Sequence, residues 1–369
     1  MNKAKPDSEK EPSITQTLIS DFKSFRHEIF AEDVKQPISR SFRDLRDFYL
    51  NEERRARLNE MGVVKRWLYS SFWLFKAMLL KLPPVRRVVL VIGIFFLLRA
   101  PGSGGSSDSA LIGGVLLLLV LMFELKDKLL ARSELQEGHA VQKALLPPRQ
   151  PSLPGWDIWM HYQAANEVGG DLLDFQIING KRCGIALGDV ADKGLKAALL
   201  MAKLQATVRA FAADYDSLAA LMTKVNQISC RDGLPRSFAS LFYLELQQNS
   251  GAVRYVNAGH MPAYLIGSAG VRELAKGELA LGLSPGAQYS EHAVNLQRGD
   301  VLFIYSDGLT EARNESGTFY GEERLRTLLQ DVSAQPAFEI GERIINDVQR
   351  FVGAAARTDD LTVTILRVL

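Results

Sequence analysis

The sequence predicts an α+β protein: helices layered on largely antiparallel sheets, behind a strongly apolar segment. Two observations carry this reading. From Gly155 onward, short apolar runs bounded by turn residues alternate with a few stretches of helical period. Ahead of that region lie two uniformly apolar runs, Val88–Leu98 and Ala110–Phe123, joined by "RAPGSGGSSDS". A third observation points to chemistry. Asp recurs beside Gly, first in "NEVGGDLLDF" and "GDVADKG", and again near the C-terminus.

The 369 residues carry 44 Lys and Arg against 42 Asp and Glu, a net charge of +2. So even a balance argues against nucleic-acid binding, and no zinc-finger or RNA-module signature is present. Cys183 and Cys230 belong to no CxxC motif, which argues against a thiolate metal site; Cys183 reads as a small core residue.

Taken in order, "MNKAKPDSEKEPS" is polar, has no apolar signal core, and is expected to be disordered. Residues 14–61 read as charged, solvated helices with no catalytic constellation. The segment 1–84 is therefore assigned as a polar helical region, with "RWLYSSFWLFKAMLLKLPP" as an interfacial or core helix ended by Pro83–Pro84.

Residues 85–125 form an apolar helical hairpin. Each run is shorter than the ~20 residues of a spanning helix, so a buried core hairpin and a hairpin dipping into one leaflet stand beside a transmembrane pair. Charge asymmetry favours the membrane. Lys65, Arg66, Lys76, Lys81, Arg86 and Arg87 precede the hairpin, Lys126, Lys128 and Arg132 follow it, and its loop carries only Arg99 and Asp108. Both ends, and the domain after them, are then expected in the cytoplasm.

Residues 126–148 read as a linker helix, with a loose apolar spacing closed by Pro147–Pro148. It is suited either to pairing with its twin in a homodimer or to packing on the domain that follows.

The remaining residues, 149–369, look catalytic. "DLLDFQIINGKRCGIALGDVA" has two strands about Asn179–Gly180, a hairpin signal that sets Asp171 and Asp189 at the same end. Helices follow at about 195–211 and 216–229. Strands are expected in "SFASLFYLELQ", "AVRYVNAG", "MPAYLIG", "HAVNLQ" and "VLFIYSDG", then helices near 322–329 and 337–352, and a last strand in "LTVTILRV". Asp307 closes one strand, and Asp359 and Asp360 precede the last.

A single Asp-Gly is ordinary turn chemistry, and Asp174, Asp192 and Asp360 can be read that way. Four strand-end carboxylates together suit hard divalent cations such as Mg²⁺ or Mn²⁺, and no His or Cys set competes for zinc. A pair of such ions can clamp a phosphate and supply the attacking water, and glycine beside each Asp lets a phosphate approach.

These motifs, with "VNAGHMPAYLI", "LGL", "IYSDGLTEARN" and "DDLTVTILRV", resemble the bacterial metal-dependent serine/threonine phosphatases of the sporulation-E and stress-response sigma-regulator type, in the type 2C superfamily. The resemblance covers about Leu125 to Leu369. It implies a central antiparallel β-sandwich flanked by helices on both faces. It also implies two Mn²⁺ or Mg²⁺ ions held by Asp171, Asp189, the Val190 carbonyl, Asp307 and Asp359, with Asp359 chosen over Asp360. A water held between the ions by Asp171 and Asp189 would attack phosphoserine or phosphothreonine on a regulatory partner of the anti-anti-sigma type. Eukaryotic members carry a His soon after the bridging Asp and a phosphate-binding Arg early in the domain. Here "VADKG" has no His, no such Arg can be assigned, and His260 reads as structural. The competing readings are a pseudophosphatase, a membrane-anchored scaffold, and a small-molecule phosphatase.

Overall fold

The structure is a computed structural model describing residues 57–58, 61–98, 107–180, 182–234, 237–332 and 335–369. The expectations for residues 1–56 and most of the 99–109 loop lie outside the described residues. The chain divides into two units, Met1–Asp127 and Lys128–Leu369.

In the first unit, α1 (Val63–Lys81) stops at Leu82, where Pro83 and Pro84 bar continuation, and α2 (Pro84–Leu98) follows. Arg87 closes the end of α1 by donating to the carbonyls of Leu79, Leu80 and Leu82 at 3.1, 2.8 and 3.0 Å. A guanidinium is well suited to a helix C-terminus, where unpaired carbonyls concentrate negative charge.

The long helix α3 (Ser107–Leu145) contains the second apolar run and the linker. Its first part crosses α2 closely. A Cβ at Gly113 would lie 2.7 Å from the Gly93 carbonyl and 2.8 Å from the Leu97 nitrogen, so only glycine lets these backbones meet. Arg86 ties the hairpin base to Glu124 and Asp127 at 2.9 and 2.7 Å. The outward side chains are apolar and exposed, among them Val91, Phe95, Leu98, Leu111, Leu118 and Leu121. Among the described residues, only α3 is both long and apolar enough to cross a membrane. With 15 residues, α2 reaches about 22 Å, short of the ~30 Å apolar core of a bilayer.

The second unit is a four-layer sandwich. One sheet has the order β1 (Trp156–Gln163), β10 (Leu361–Val368), β9 (Val301–Tyr305), β6 (Tyr264–Gly267), β7 (Gly270–Glu273). The other runs β2 (Asp171–Asn179), β3 (Arg182–Val190), β4 (Ala239–Gln247), β5 (Ala252–Ala258), β8 (His292–Asn295). All pairings are antiparallel. Helices α4 (Leu195–Phe211) and α5 (Leu218–Asp232) cover the β2-to-β8 sheet; α7 (Glu322–Val332) and α8 (Ala337–Val352) cover the other. Between β9 and α7 lies a single helical turn, α6 (Asp307–Thr310).

Strand alternation produces the layers. Ile158 and Met160 of β1, Ile185 and Leu187 of β3, and Leu302 and Ile304 of β9 meet in the inter-sheet core. Their alternates, Trp159, Phe303 and Tyr305, face α7 and α8. Cys183 is fully buried in the inter-sheet core, as its sequence context predicts. The helices and strands expected from sequence form with ends shifted by a few residues. The short β7 and the turn α6 lack a clear sequence signal.

The candidate metal centre

At one end of the sandwich the inward-facing positions turn from apolar to polar. Along β9 the series runs Leu302, Ile304, Ser306; along β10 and its approach it runs Leu366, Thr364, Thr362, Asp360. In the facing sheet, Leu173 gives way to Asp171 on β2, and Leu187 to Asp189 on β3. Asp171 and Asp189 are direct register partners across the hairpin. Asp307 opens α6 immediately after β9, and Asp359 lies on the approach to β10. Each sheet therefore contributes two of the four predicted carboxylates.

The acids repel one another in a poorly solvated space. Burial, and next the charge of Asp189, hold the Asp171 carboxyl well above the usual carboxylate range. Burial, then Asp307, Asp359 and Asp360, push Asp189 up to about 7. Asp307 is raised by burial and by Asp359. Carboxylates gathered this way favour a proton or a cation as company. Asp171 is further held by a 2.5 Å hydrogen bond donated by Thr362 Oγ1.

Asp359 and Asp360, adjacent in sequence, have different work. Asp360 is buried, and its carboxylate accepts backbone N–H groups from Ala165 at 2.7 Å, Gly170 at 2.5 Å and Asp171 at 3.4 Å. It fixes the loop that presents Asp171. Asp359 is partly exposed and bonds the Lys193 ammonium at 3.0 Å. A cation thus already sits on this carboxylate, while Asp360 is fully engaged by the backbone.

The glycines have local reasons. A Cβ on Gly308 would strike the Asp360 carbonyl, so Gly308 lets the Asp307 turn lie against the Asp359–Asp360 segment. A Cβ on Gly170 would sit 3.4 Å from the Val190 carbonyl and 3.5 Å from Asp189 Oδ1, so the two acidic loops touch here. The Val190 carbonyl accepts the Asp192 N–H at 2.6 Å, which tightens the loop after Asp189.

A cleft of about 180 Å³ opens between Asp189 and Asp307, walled by Phe238, Ser240, His260 and Met261. His260 is buried with its Nδ1 3.1 Å from the Met261 carbonyl, and burial lowers its pKa to about 4, so it is neutral at pH 7. The other acids of these motifs are committed elsewhere. Asp174 accepts a bidentate pair from Arg209 at 2.8 and 2.5 Å, and Asp192 pairs with Lys196 one turn on.

Among the described residues, no three His, Cys, Asp or Glu side chains form a ready-made ion cage. The donor set nonetheless fits hard cations. It is all oxygen, it is electrostatically unsatisfied, and Asp359 is bridged to an ammonium. An ion such as Mg²⁺ keeps several waters and needs few direct protein ligands.

The family model for stage II sporulation protein E (SpoIIE) matches residues 179–369, more than half of the chain. The chain belongs to the SpoIIE family. Protein IcfG of Synechocystis sp. is 28% identical over 268 residues, 65% of this chain and 42% of that protein. Phosphoserine phosphatase RsbU of Bacillus subtilis is 25% identical over 238 residues, covering 64% of this chain and 70% of RsbU. This SpoIIE-family chain thus spans less than half the length of IcfG. Among solved structures, the RsbU and RsbW domains of a Mycobacterium tuberculosis protein superpose with a TM-score of 0.52 at 26% identity, covering 59% of this chain and 61% of that one. The SiaA-PP2C domain of Pseudomonas aeruginosa superposes with a TM-score of 0.57 at 21% identity, over 65% of this chain and 98% of that domain. The fold is that of the type 2C phosphatases, as the sequence predicts. Asp189, Val190, Asp307 and Asp359 fall inside the family match; Asp171 lies ahead of it.

Sequence reasoning missed Lys193, Ser306, Thr362 and the function of Asp360. It also missed Gln142. In the second unit, the Gln142 side chain is buried and brackets Gly169, donating to its carbonyl at 2.8 Å and accepting its N–H at 3.1 Å. His139 Nδ1 lies 2.6 Å from the Glu167 carbonyl, and Arg132 approaches Glu167 at 3.6 Å. The last turns of α3 therefore grip the loop leading to Asp171, which realises the packing alternative for the linker.

Proposed function

We propose that this chain is a metal-dependent protein serine/threonine phosphatase acting on a phosphorylated regulatory protein. The observation that carries the reading is the meeting of Asp171 and Asp189 from one sheet with Asp307 and Asp359 from the other beside an open cleft. Asp171, Asp189, Asp307, Asp359 and the Val190 carbonyl would hold two Mn²⁺ or Mg²⁺ ions. Such ions supply charge neutralisation for the phosphoryl group and an activated water.

The chain's own residues do the rest. Thr362 and the Asp360-bound loop orient Asp171. Lys193, which bonds Asp359, would have to release that carboxylate for it to hold an ion, and its ammonium would remain a positive charge beside the acids. Neutral His260 shapes one wall, and Phe238 and Met261 limit water around the ester. The substrate is inferred to be of the anti-anti-sigma type, in keeping with the RsbU and SpoIIE likeness. The test is phosphate release from a phosphoserine peptide by the full chain. Release is expected with Mn²⁺ and not with a chelator. A folded protein that binds Mn²⁺ yet releases nothing would point instead to a phosphoprotein-binding module.

The α2–α3 hairpin is proposed to anchor the protein in a membrane with the phosphatase domain in the cytoplasm, supported by its exposed apolar faces and the flanking Lys and Arg. Close glycine contacts such as Gly93 against Gly113 are typical of helices packed in lipid.

The Gln142 bracket suggests how a signal would reach the metal centre: the linker helix moves Gly169, and Gly169 moves Asp171. Replacing Gln142 by alanine leaves a buried N–H and a buried carbonyl without partners, at roughly 1–3 kcal/mol each. We expect at least tenfold lower activity and weaker Mn²⁺ binding. Unchanged activity and metal affinity in Gln142→Ala would remove the linker from the mechanism.

A further inference from the structure

A slot of about 50 Å³ opens between α4 and α5, on the helix-covered face of the β2-to-β8 sheet. Val190, Leu204, Ala239 and Leu281 form its buried floor, and the partly exposed Leu200 and exposed Phe238 stand at its rim. Slot and cleft share Phe238. They open on opposite faces of the same two strands. Asp189 and Ser240 line the cleft, and their neighbours Val190 and Ala239 line the slot. The two sites are thus about one sheet layer apart, ~10 Å, which three extended residues span at ~3.3 Å each.

The slot is lined mainly by hydrocarbon. The polar side chains on its α4 wall are committed to backbone carbonyls: Lys203 donates to Asp232 at 2.8 Å, and Thr207 to Lys203 at 2.7 Å. A water needs roughly 10–15 Å³ of such space, so the slot has room for about four groups of that size. That matches the four carbons of a leucine or isoleucine side chain. Phe238 is exposed, and so are Leu199, Leu234 and Leu283, each within two residues of the lining. Apolar side chains gathered at the surface around an open slot mark a place where another molecule binds.

We propose that this slot receives an aliphatic side chain of the phosphoprotein substrate, the size of leucine or isoleucine, about two to four residues from its phosphoserine. The inference rests on the phosphatase reading and names a determinant of substrate choice for the same site. A segment that places its phosphoserine in the cleft passes Phe238 at the sheet edge, and its next residues reach the slot. The metal ligands recognise a phosphoryl group and no particular sequence, so discrimination among phosphoproteins falls to contacts of this kind.

The test compares the full chain with Ser229→Leu and Thr207→Leu, in Mn²⁺. Both positions line the slot, from α5 and α4, and are partly exposed, so each substitution fills it from one wall. Substrates are a leucine-free phosphoserine peptide, the same peptide with one leucine placed in turn at each of the four positions on either side, and p-nitrophenyl phosphate. For the native chain, one leucine position should lower KM about tenfold relative to the leucine-free peptide, the effect of burying one aliphatic side chain. In both variants that gain should fall below about twofold. Their constants for the leucine-free peptide and p-nitrophenyl phosphate should not change, and their Tm should hold or rise. No preferred leucine position in the native chain would overturn the proposal. So would a leucine gain that survives in both variants, or an equal loss on all substrates. A variant that changes its oligomeric mass while keeping the leucine gain would assign the slot to a second copy of the chain instead. Should the native chain cleave nothing, the phosphatase reading fails separately. Fluorescence anisotropy of the labelled peptides on the Mn²⁺-loaded chain then decides. About tenfold tighter binding of one leucine peptide, lost in Ser229→Leu, supports the slot, and equal binding of all peptides rejects it.

Discussion

Replacing Asp307 by alanine is expected to lower metal-dependent phosphate release by about 10³-fold while leaving the fold intact. The activity estimate follows from the several kcal/mol of charge stabilisation that a catalytic metal supplies, at about 1.4 kcal/mol per factor of ten. The stability estimate follows from the surroundings of Asp307. Its carboxylate makes no ion pair among the described residues, and burial and Asp359 disfavour its charge. Removing it eases repulsion at Asp359 and Asp189, so the metal-free Tm should hold or rise slightly. The increase in Tm on adding Mn²⁺, produced by binding to the folded state alone, should shrink sharply. Activity and thermal unfolding measured with and without Mn²⁺ check both halves. A variant keeping more than a tenth of native activity would exclude Asp307 as a ligand.

The neighbouring acids Asp359 and Asp360 should separate function from stability. Asp359→Ala loses a solvent-facing pair with Lys193, about 0–1 kcal/mol, and the 3.1 Å hydrogen bond accepted from the Asp360 N–H, about 1 kcal/mol, partly offset by relief of the repulsion that Asp359 exerts on Asp189 and Asp307. Its Tm should move by less than about 2–4 °C for a domain of this size, while activity collapses. Asp360→Ala strands the N–H groups of Ala165, Gly170 and Asp171. That costs on the order of 3–5 kcal/mol, reduced somewhat by relief of the repulsion that Asp360 exerts on Asp171 and Asp189. A Tm lowered by roughly 5–15 °C follows, with activity lost because the Asp171 loop is no longer fixed. If instead Asp360→Ala keeps its Tm and Asp359→Ala unfolds early, the two assignments must be exchanged.

The hairpin signal at Asn179–Gly180 was sufficient to bring the Asp171 and Asp189 strand ends together, but not to fix their pairing: a two-residue turn there sets Asp171 opposite Gly188, and the irregularity between Ile177 and Asn179 is what brings it opposite Asp189. Asp307 and Asp359 were legible as acids at strand ends, and the family resemblance supplied their common destination. The division of labour within "DDLT" was less accessible to physical reading of the sequence. It depends on which carboxylate meets the Ala165–Asp171 backbone, a contact across about 190 residues fixed only by the sheet order. Lys193 and Gln142 were invisible for the same reason. A lysine after an acidic turn and a glutamine on a linker helix look like solvated residues until tertiary structure brings Asp359 to one and Gly169 to the other. The order of strands, with β10 between β1 and β9, was likewise beyond local pattern.

That order has a consequence for timing. The final strand of the sheet is an interior one, flanked on both sides by partners made earlier. Until β10 leaves the ribosome, β1 and β9 have no bridge, Thr362 cannot reach Asp171, and Asp359 and Asp360 have nowhere to dock. A chain that lacks β10 therefore has Asp171, Asp189 and Asp307 in hand but not the Asp359–Asp360 pair that β10 positions. If the proposed function holds, phosphatase activity is expected to appear only once this eight-residue strand has inserted between β1 and β9.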